Sequence, residues 1–349
     1  MNTVTTQHVF AHLSGQDDNL GDSVLRVAFL DALRGPGRHV HVFTGAQTSD
    51  YGSVFPDGPD LTYHSERSLW LEAQDASTRP VHAFNAGEIN PRPGVFPVPR
   101  RAAECARVLA SGGALIVAGI GIKDVTALED VTFDAAFHQA SVMSWRDRGS
   151  RDAAGFGECA PDWAYSLGTA AAQWASPSER LLLAVTLRFD RPWPGQAWVA
   201  AVRALAAATA TRIVTVAQVA RDAPRAVRLA EELGGEYLMA PSMRHDVLDA
   251  HVRDVYARSL AVVSDRAHGL IIGATEGAYP IGSAGDPQKI SRLLDAAGLG
   301  ALVGRYDELG ELAARLETHL PGLAGSIDAA RADVAALTTR IRVAMDAVA

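Results

Sequence analysis

LAVVSDRAHGLIIGAT, residues Leu260–Thr275, joins two unlike pieces. Leu260–Val263 is a continuous apolar run of the kind a fully buried parallel strand needs. Gly269–Thr275 has the small and apolar residues of a helix packed on a sheet. Between them stand Ser264, Asp265, Arg266 and His268. A buried strand that ends in ionisable groups and turns into a helix puts those groups at the strand's carboxyl end, where ligands bind in open α/β sheets. The N–H groups of a helix start favour an anion there. Arg266 adds a permanent charge in a fork suited to phosphate or carboxylate. His268 has the side chain that gives and takes a proton near neutral pH. An Arg-x-His at a strand end is, alone, more often a structural feature than a site, so the surrounding chain decides.

Working outward, Tyr279–Ser283 reads as a further strand, and Gly285-Asp286-Pro287 leads into a helix with Asp286 as its cap. Lys289 on that helix suits either a phosphate or a solvated face. Residues 306–319 and 325–347 read as helices. Before the opening stretch, the strand Leu181–Leu187 ends at Arg188, and strands at 213–216 and 236–239 alternate with helices at 197–209, 223–233 and 246–259. Trp174–Arg180 (WASPSER) is the best boundary between two halves. In the first half, His8–Ser14 reads as a strand and Asn19–Gly35 as a helix with its apolar residues at helical spacing. Asn19 or Asp22 caps that helix or holds a ligand, and Gly21 lets a neighbour approach the backbone. Asp17-Asp18 reads as solvated loop charge. Val40–Thr44 is a strand, and residues 45–80 read as loops around one strand at Leu61–His64. Val81–Ala86 runs into Glu88 and Asn90, which either meet a sugar hydroxyl or shape a loop. The apolar strand Ala114–Val117 leads into a turn with Gly119 and Gly121, and Ser141–Trp145 ends in Arg146-Asp147. Strand–helix alternation in two halves gives an α/β fold of two Rossmann-like domains facing a cleft. The expected domains are residues 1–176 and 177–320, with 321–349 a C-terminal helix able to cross back to the first.

Composition narrows the partners. The 349 residues are 48 % hydrophobic and 21 % charged, with a net charge of −8. A nucleic-acid or anionic-membrane surface wants a basic excess, so neither is expected. MNTVTTQHVF lacks a basic leader, and no window approaches the roughly 18 uninterrupted apolar residues of a membrane span. Two cysteines, Cys105 and Cys159, are too few for a disulfide framework or zinc cluster, so a cytoplasmic location is expected. His8, His12, His39, His41, His64 and His82 show no convincing metal-ligand spacing, and no metal is expected.

The motifs then carry a resemblance. Asn19-Leu20-Gly21-Asp22, the Gly119–Asp124 turn, Trp145-Arg146-Asp147, Ala160-Pro161-Asp162, SDRAHGL at Ser264–Leu270 and PIGSAGDPQK at Pro280–Lys289 occur in the order found in the polysaccharide pyruvyltransferase family. The chain resembles that family over most of its length, and SDRAHGL is the most specific piece. It departs at Trp163 after Asp162, at the extra Gln288, and in a first glycine turn less rich in glycine. The resemblance implies a GT-B-like fold and transfer of pyruvate from phosphoenolpyruvate to a sugar diol of a cell-surface polysaccharide or its precursor, an exopolysaccharide or cell-wall glycan. Phosphoenolpyruvate is then the donor substrate, with no cofactor. His268 acts as general acid/base with Arg266 as its catalytic neighbour, and Arg146, Arg266, Ala267 and Lys289 bind phosphoenolpyruvate. Asn19, Asp22, Glu88 and Asn90 form the acceptor side. The acceptor would be a glycan, a lipid-linked oligosaccharide or a nucleotide sugar; a lipid-linked one would bring the protein to the inner membrane face without anchoring it. The alternative is a GT-B-type glycosyltransferase using a nucleotide sugar, because fold does not fix function.

Overall fold

The computed structural model describes residues 6–45 and 48–349. The reading of residues 1–5 as carrying no leader lies outside them. The chain forms two units. The first comprises Met1–Asp17, Leu25–Trp163 and Asp333–Ala349; the second comprises Asp18–Val24 and Ala164–Ala332. The division therefore falls at Trp163/Ala164 and not at 176. It also passes through two helices, so that the last turns of the C-terminal helix belong to the first unit and the start of the first helix to the second.

The first unit contains β1 (Gln7–His12), α1 (Leu20–Leu33, from Leu25 on), β2 (Arg38–Phe43), α2 (Ser49–Gly52), β3 (Leu61–His64), α3 (Arg67–Asp75), β4 (Val81–Ala83), β5 (Gly87–Ile89), β6 (Gly94–Phe96), α4 (Pro99–Ala110), β7 (Ala114–Ile122), β8 (Val131–Phe133), α5 (Ala135–His138), β9 (Val142–Trp145), α6 (Arg148–Ala154) and β10 (Glu158–Cys159). Its main sheet is parallel in the order β10-β9-β7-β4-β1-β2-β3, with β5 pairing farther along β7. All nine residues of β7, ALIVAGIGI, are buried, as a strand covered on both faces must be. The second unit contains β11 (Leu182–Thr186), α7 (Gln196–Ala208), β12 (Arg212–Thr215), α8 (Ala223–Leu233), β13 (Glu236–Tyr237), α9 (His245–Ala257), β14 (Ser259–Ser264), α10 (Ala267–Thr275), β15 (Tyr279–Ala284), α11 (Gln288–Asp295), β16 (Val303–Arg305), α12 (Leu309–Ala314), α13 (Leu316–His319) and α14 (Leu323–Asp346, leaving this unit at Asp333). Its parallel sheet runs β13-β12-β11-β14-β15-β16.

Counted within the second unit, that order is 3-2-1-4-5-6, the doubly wound Rossmann arrangement. The first unit follows the same order and adds a seventh strand. Each sheet thus has a switch point between its first and fourth strands, β1/β4 in one and β11/β14 in the other. Crossover helices leave these strands on opposite faces, which opens a crevice at their carboxyl ends. Residues 45–80 hold more than loops: α2 and α3 flank β3. Among the described residues no helix is long and apolar enough to cross a membrane.

Candidate active site

The second switch point is built from strand ends. β14 buries Ser259–Ser264 entirely and then meets Asp265, where the apolar run stops. The Ser264 hydroxyl accepts the Arg266 N–H at 2.9 Å, a local turn that brings the chain into α10. α10 opens with Ala267 and His268, and its remaining residues Gly269–Thr275 are all buried. The first N–H groups of such a helix have no partner within it and leave positive potential at its start. Gly269 is required by crowding: a Cβ there would stand 2.9 Å from Ser264 Oγ, 3.0 Å from Gln218 Oε1 and 3.2 Å from Thr186 Cγ2. Two strand ends and the loop after β12 thus converge on one backbone position. Thr186 Oγ1 and Gln218 Nε2 are buried there with no hydrogen-bond partner among the described residues.

The Asn19–Asp22 segment comes to the same place. Asn19 Oδ1 accepts the Gly21 N–H at 3.2 Å, so Asn19 shapes the start of α1. Its backbone bridges Val219, and the Leu20 N–H donates to the Gln218 carbonyl at 3.2 Å. Gly21 then lies against the imidazole of His268. A Cβ at Gly21 would fall 2.6 Å from the His268 Cβ and closer still to Nδ1, so only glycine admits the ring. One turn on, the Ser23 hydroxyl donates to the Leu20 carbonyl at 2.9 Å and pairs with Nδ1 of the buried His245 at 2.7 Å. With the hydroxyl proton on Leu20, His245 is the donor to Ser23. Asp22 is half-buried beside this contact.

Arg266 is held by Asp222, whose carboxylate is 1 % exposed and receives the Arg266 Nε–H. The same carboxylate accepts the Phe189 N–H at 2.9 Å. Asp265 accepts the Arg188 N–H at 2.7 Å and the Tyr306 hydroxyl at 3.3 Å. Burial raises the Asp265 carboxyl to about 6, against the opposing pull of the Arg188 N–H, Arg266 and Arg188. Lys289 lies half-buried in the first turn of α11. The second unit therefore holds Arg266, Ala267, His268, Asn19, Asp22 and Lys289 of the expected residues.

The others lie elsewhere. Arg146 belongs to the first unit, where it is 4 % exposed and its Nη1 meets the 1 % exposed Asp162 carboxylate at 3.0 Å. Gly121 lies against it, since a Cβ there would stand 2.6 Å from Arg146 Nε. That is a buried ion pair at the end of β9, and Arg146 Nε is buried with no hydrogen-bond partner among the described residues. Glu88 and Asn90 are exposed on and after β5, in the first unit. Asp17 and Asp18 are not merely solvated: Asp17 accepts the Thr48 N–H at 2.8 Å, and Asp18 takes both arms of Arg221 at 2.6 and 2.9 Å. Reading from sequence missed Thr186, Gln218, Asp222 and His245. Asp222 had a visible signal, an acid just before Ala223-Pro224 at a helix start; the others sit in apolar or polar contexts without one.

No family model matches the chain, and no curated protein sequence matches it. Solved structures match its fold. HepE of Anabaena in complex with UDP aligns with a TM-score of 0.56 at 12 % identity, over 98 % of this chain and 100 % of that one. UDP-GlcNAc 2-epimerase from Neisseria meningitidis bound to UDP-GlcNAc aligns with a TM-score of 0.54 at 8 % identity, over 97 % and 99 %. The α,α-trehalose 6-phosphate synthase from Burkholderia multivorans aligns with a TM-score of 0.53 at 11 % identity, over 98 % of each. The fold is that of the GT-B glycosyltransferases, two Rossmann-like units.

Proposed function

We propose that the protein is a transferase whose second unit binds a phosphate-bearing donor at the start of α10 and passes a group from it to a sugar hydroxyl. The observation that carries this reading is the contact of Gly21 with His268, which unites the Asn19–Asp22 and SDRAHGL segments at a sheet's switch point. Phosphoenolpyruvate is the donor we place there first, because both segments belong to the resemblance with polysaccharide pyruvyltransferases. Arg266, fixed by Asp222, presents a cation beside the helix start, where phosphate and carboxylate are both favoured. His268 gives a proton to the methylene carbon, which makes the adjacent carbon electrophilic. One sugar hydroxyl adds to that carbon and loses its proton. Phosphate departs with the C–O electron pair, and the second hydroxyl closes the ketal with loss of its own proton.

General acid–base help of this kind is worth roughly 10²–10⁴-fold. His268→Ala should therefore lose most phosphate release from phosphoenolpyruvate in the presence of a sugar acceptor, with phosphoenolpyruvate affinity changed only a few-fold. Equal turnover in the variant would remove His268 from the chemistry.

The structural likeness favours a second reading, a nucleotide-sugar donor. HepE and the epimerase are seen with UDP and UDP-GlcNAc, and their fold covers nearly all of this chain. On this reading the start of α10 and Arg266 would take a diphosphate, and His268 would take the acceptor proton. Consumption of a nucleotide sugar with release of the nucleoside diphosphate, and no phosphate release from phosphoenolpyruvate, would select it.

A further inference from the structure

The first unit has its own switch point, between β1 and β4, and it is lined with cations. His12 ends β1 and His82 lies on β4. His82 is paired with Phe10, two residues before His12, so both imidazoles share a face. They are 3 % and 4 % exposed, and both lie against Trp70 of α3. His12 Nε2 pairs with Ser14 Oγ at 2.7 Å, and His82 Nδ1 with Gln74 Oε1 at 2.7 Å. The Gln74 amide nitrogen is buried and has no partner among the described residues; Gln74 is 1 % exposed.

Two arginines at helix starts surround this pair. Arg67 opens α3, with its guanidinium over the rings of Phe43 and Trp70 at 5.7 and 5.8 Å. Its Nη2 is bonded to Glu104, while its Nη1 is buried without a partner. Arg101 lies in the first turn of α4, half-buried, and its guanidinium makes no hydrogen bond or ion pair among the described residues. That turn holds no acidic residue and its cap, Val98, offers no side-chain acceptor. Two arginines, Arg100 and Arg101, thus add charge to the end of a helix that is already positive. The fixed charges acting on His12 are all cationic: Arg101, Arg67 and Arg26. Burial first, and these cations after it, hold its imidazole neutral, and burial with Arg67 and Arg101 brings His82 down to about 3. Glu104 offsets only part of this field, and it is shared between Arg67 and Arg100. Half-buried cations that repel one another are costly unless an anion joins them.

We propose that this switch point binds the phosphate of a phosphorylated sugar, held between Arg101 and Arg67. The neutral imidazoles and the Gln74 amide supply further polar contacts beneath it. In the reaction this would be the acceptor's charged group, a role that rests on the transferase reading; the binding itself does not, and it is measured without any donor.

The test is calorimetric titration of the full chain with glucose 6-phosphate, glucose and inorganic phosphate. The wild type, Arg101→Gln and Arg266→Lys are compared, each first checked for an unchanged melting temperature without ligand. Glucose 6-phosphate should bind saturably, and Arg101→Gln should weaken it by about tenfold or more, the loss of one charge-assisted hydrogen-bonding group. Arg266→Lys, altered in the other unit, should bind as the wild type does. Inorganic phosphate should bind more weakly through Arg101, and glucose not measurably. The proposal is overturned if Arg101→Gln binds like the wild type, if the loss follows Arg266→Lys, if free phosphate binds as tightly as the sugar phosphate, or if the wild type shows no saturable binding. Arg101 has no carboxylate to orphan, so its variant should fold; if it did not, Arg101→Lys, retaining charge without the fork, should show an intermediate loss.

Discussion

Gly21 and His268 illustrate how much can hang on one missing carbon. An added methyl at Gly21 would enter the volume of the imidazole, at 2.6 Å from its Cβ. Either the ring or the start of α1 must then move. Gly21→Ala should cost about 1–3 kcal/mol of stability, the usual range for overpacking, and should cut turnover more than a distant mutation of equal cost. Full activity at wild-type stability would mean that the two segments do not approach as described. At the same scale Arg146 shows what residue type leaves out. A basic residue at a strand end was legible as such, but its buried partner Asp162, sixteen residues on, was not. Arg266 has a buried carboxylate too, Asp222, and both arginines stand at a helix start.

At the level of elements, long apolar strands and their helices could be read directly. β7, β14 and α10 declare themselves because burial on both faces demands unbroken apolar sequence. α3 was not legible, since it buries only Trp70 and Gln74, one turn apart, and presents polar residues elsewhere. β16 was not legible because an edge strand of three residues has no period to read. Nor did sequence spacing show the histidine ladder on β1, β2 and β3. The register sets His8 opposite His39 and His64 opposite Phe43, and diagonal neighbours then meet, His8 Nδ1 at 2.9 Å from His41 Nε2 and His41 Nδ1 at 3.2 Å from His64 Nε2. Burial first, then His39, His8 and His64, lowers His41 to about 4. Its ordinary value is near 6.5. As pH falls below that value the unfolded chain takes a proton that the folded chain refuses, so stability is lost between about pH 6.5 and 4. For a half-buried group the loss at pH 5 is on the order of 1 kcal/mol after solvent screening. His41→Asn should shrink the drop in urea midpoint between pH 7 and pH 5. An equal drop in both proteins would show that the ladder does not resist protonation.

The whole molecule repeats one plan. Two parallel sheets wound in the same order give two switch points, and each collects charged side chains from distant parts of the sequence. Strand–helix alternation made the two halves legible, because each strand needs a crossover helix before its parallel neighbour. It did not make their limits legible. The seven residues Asp18–Val24 belong with the second unit, and Asp333–Ala349 with the first, through contacts no local pattern encodes. The second switch point is the one that the account assigns to the donor. Its most direct test is the melting temperature of the wild type and of Arg266→Lys against added phosphoenolpyruvate and a panel of nucleotide sugars. Lysine leaves Asp222 with a cation but removes the fork. A ligand that binds only the folded chain must raise the transition. A rise with a phosphate-bearing donor, phosphoenolpyruvate first, is expected, and it should be strongly reduced in Arg266→Lys. No rise with any of these donors, or a rise untouched by the substitution, would contradict a donor site at the start of α10.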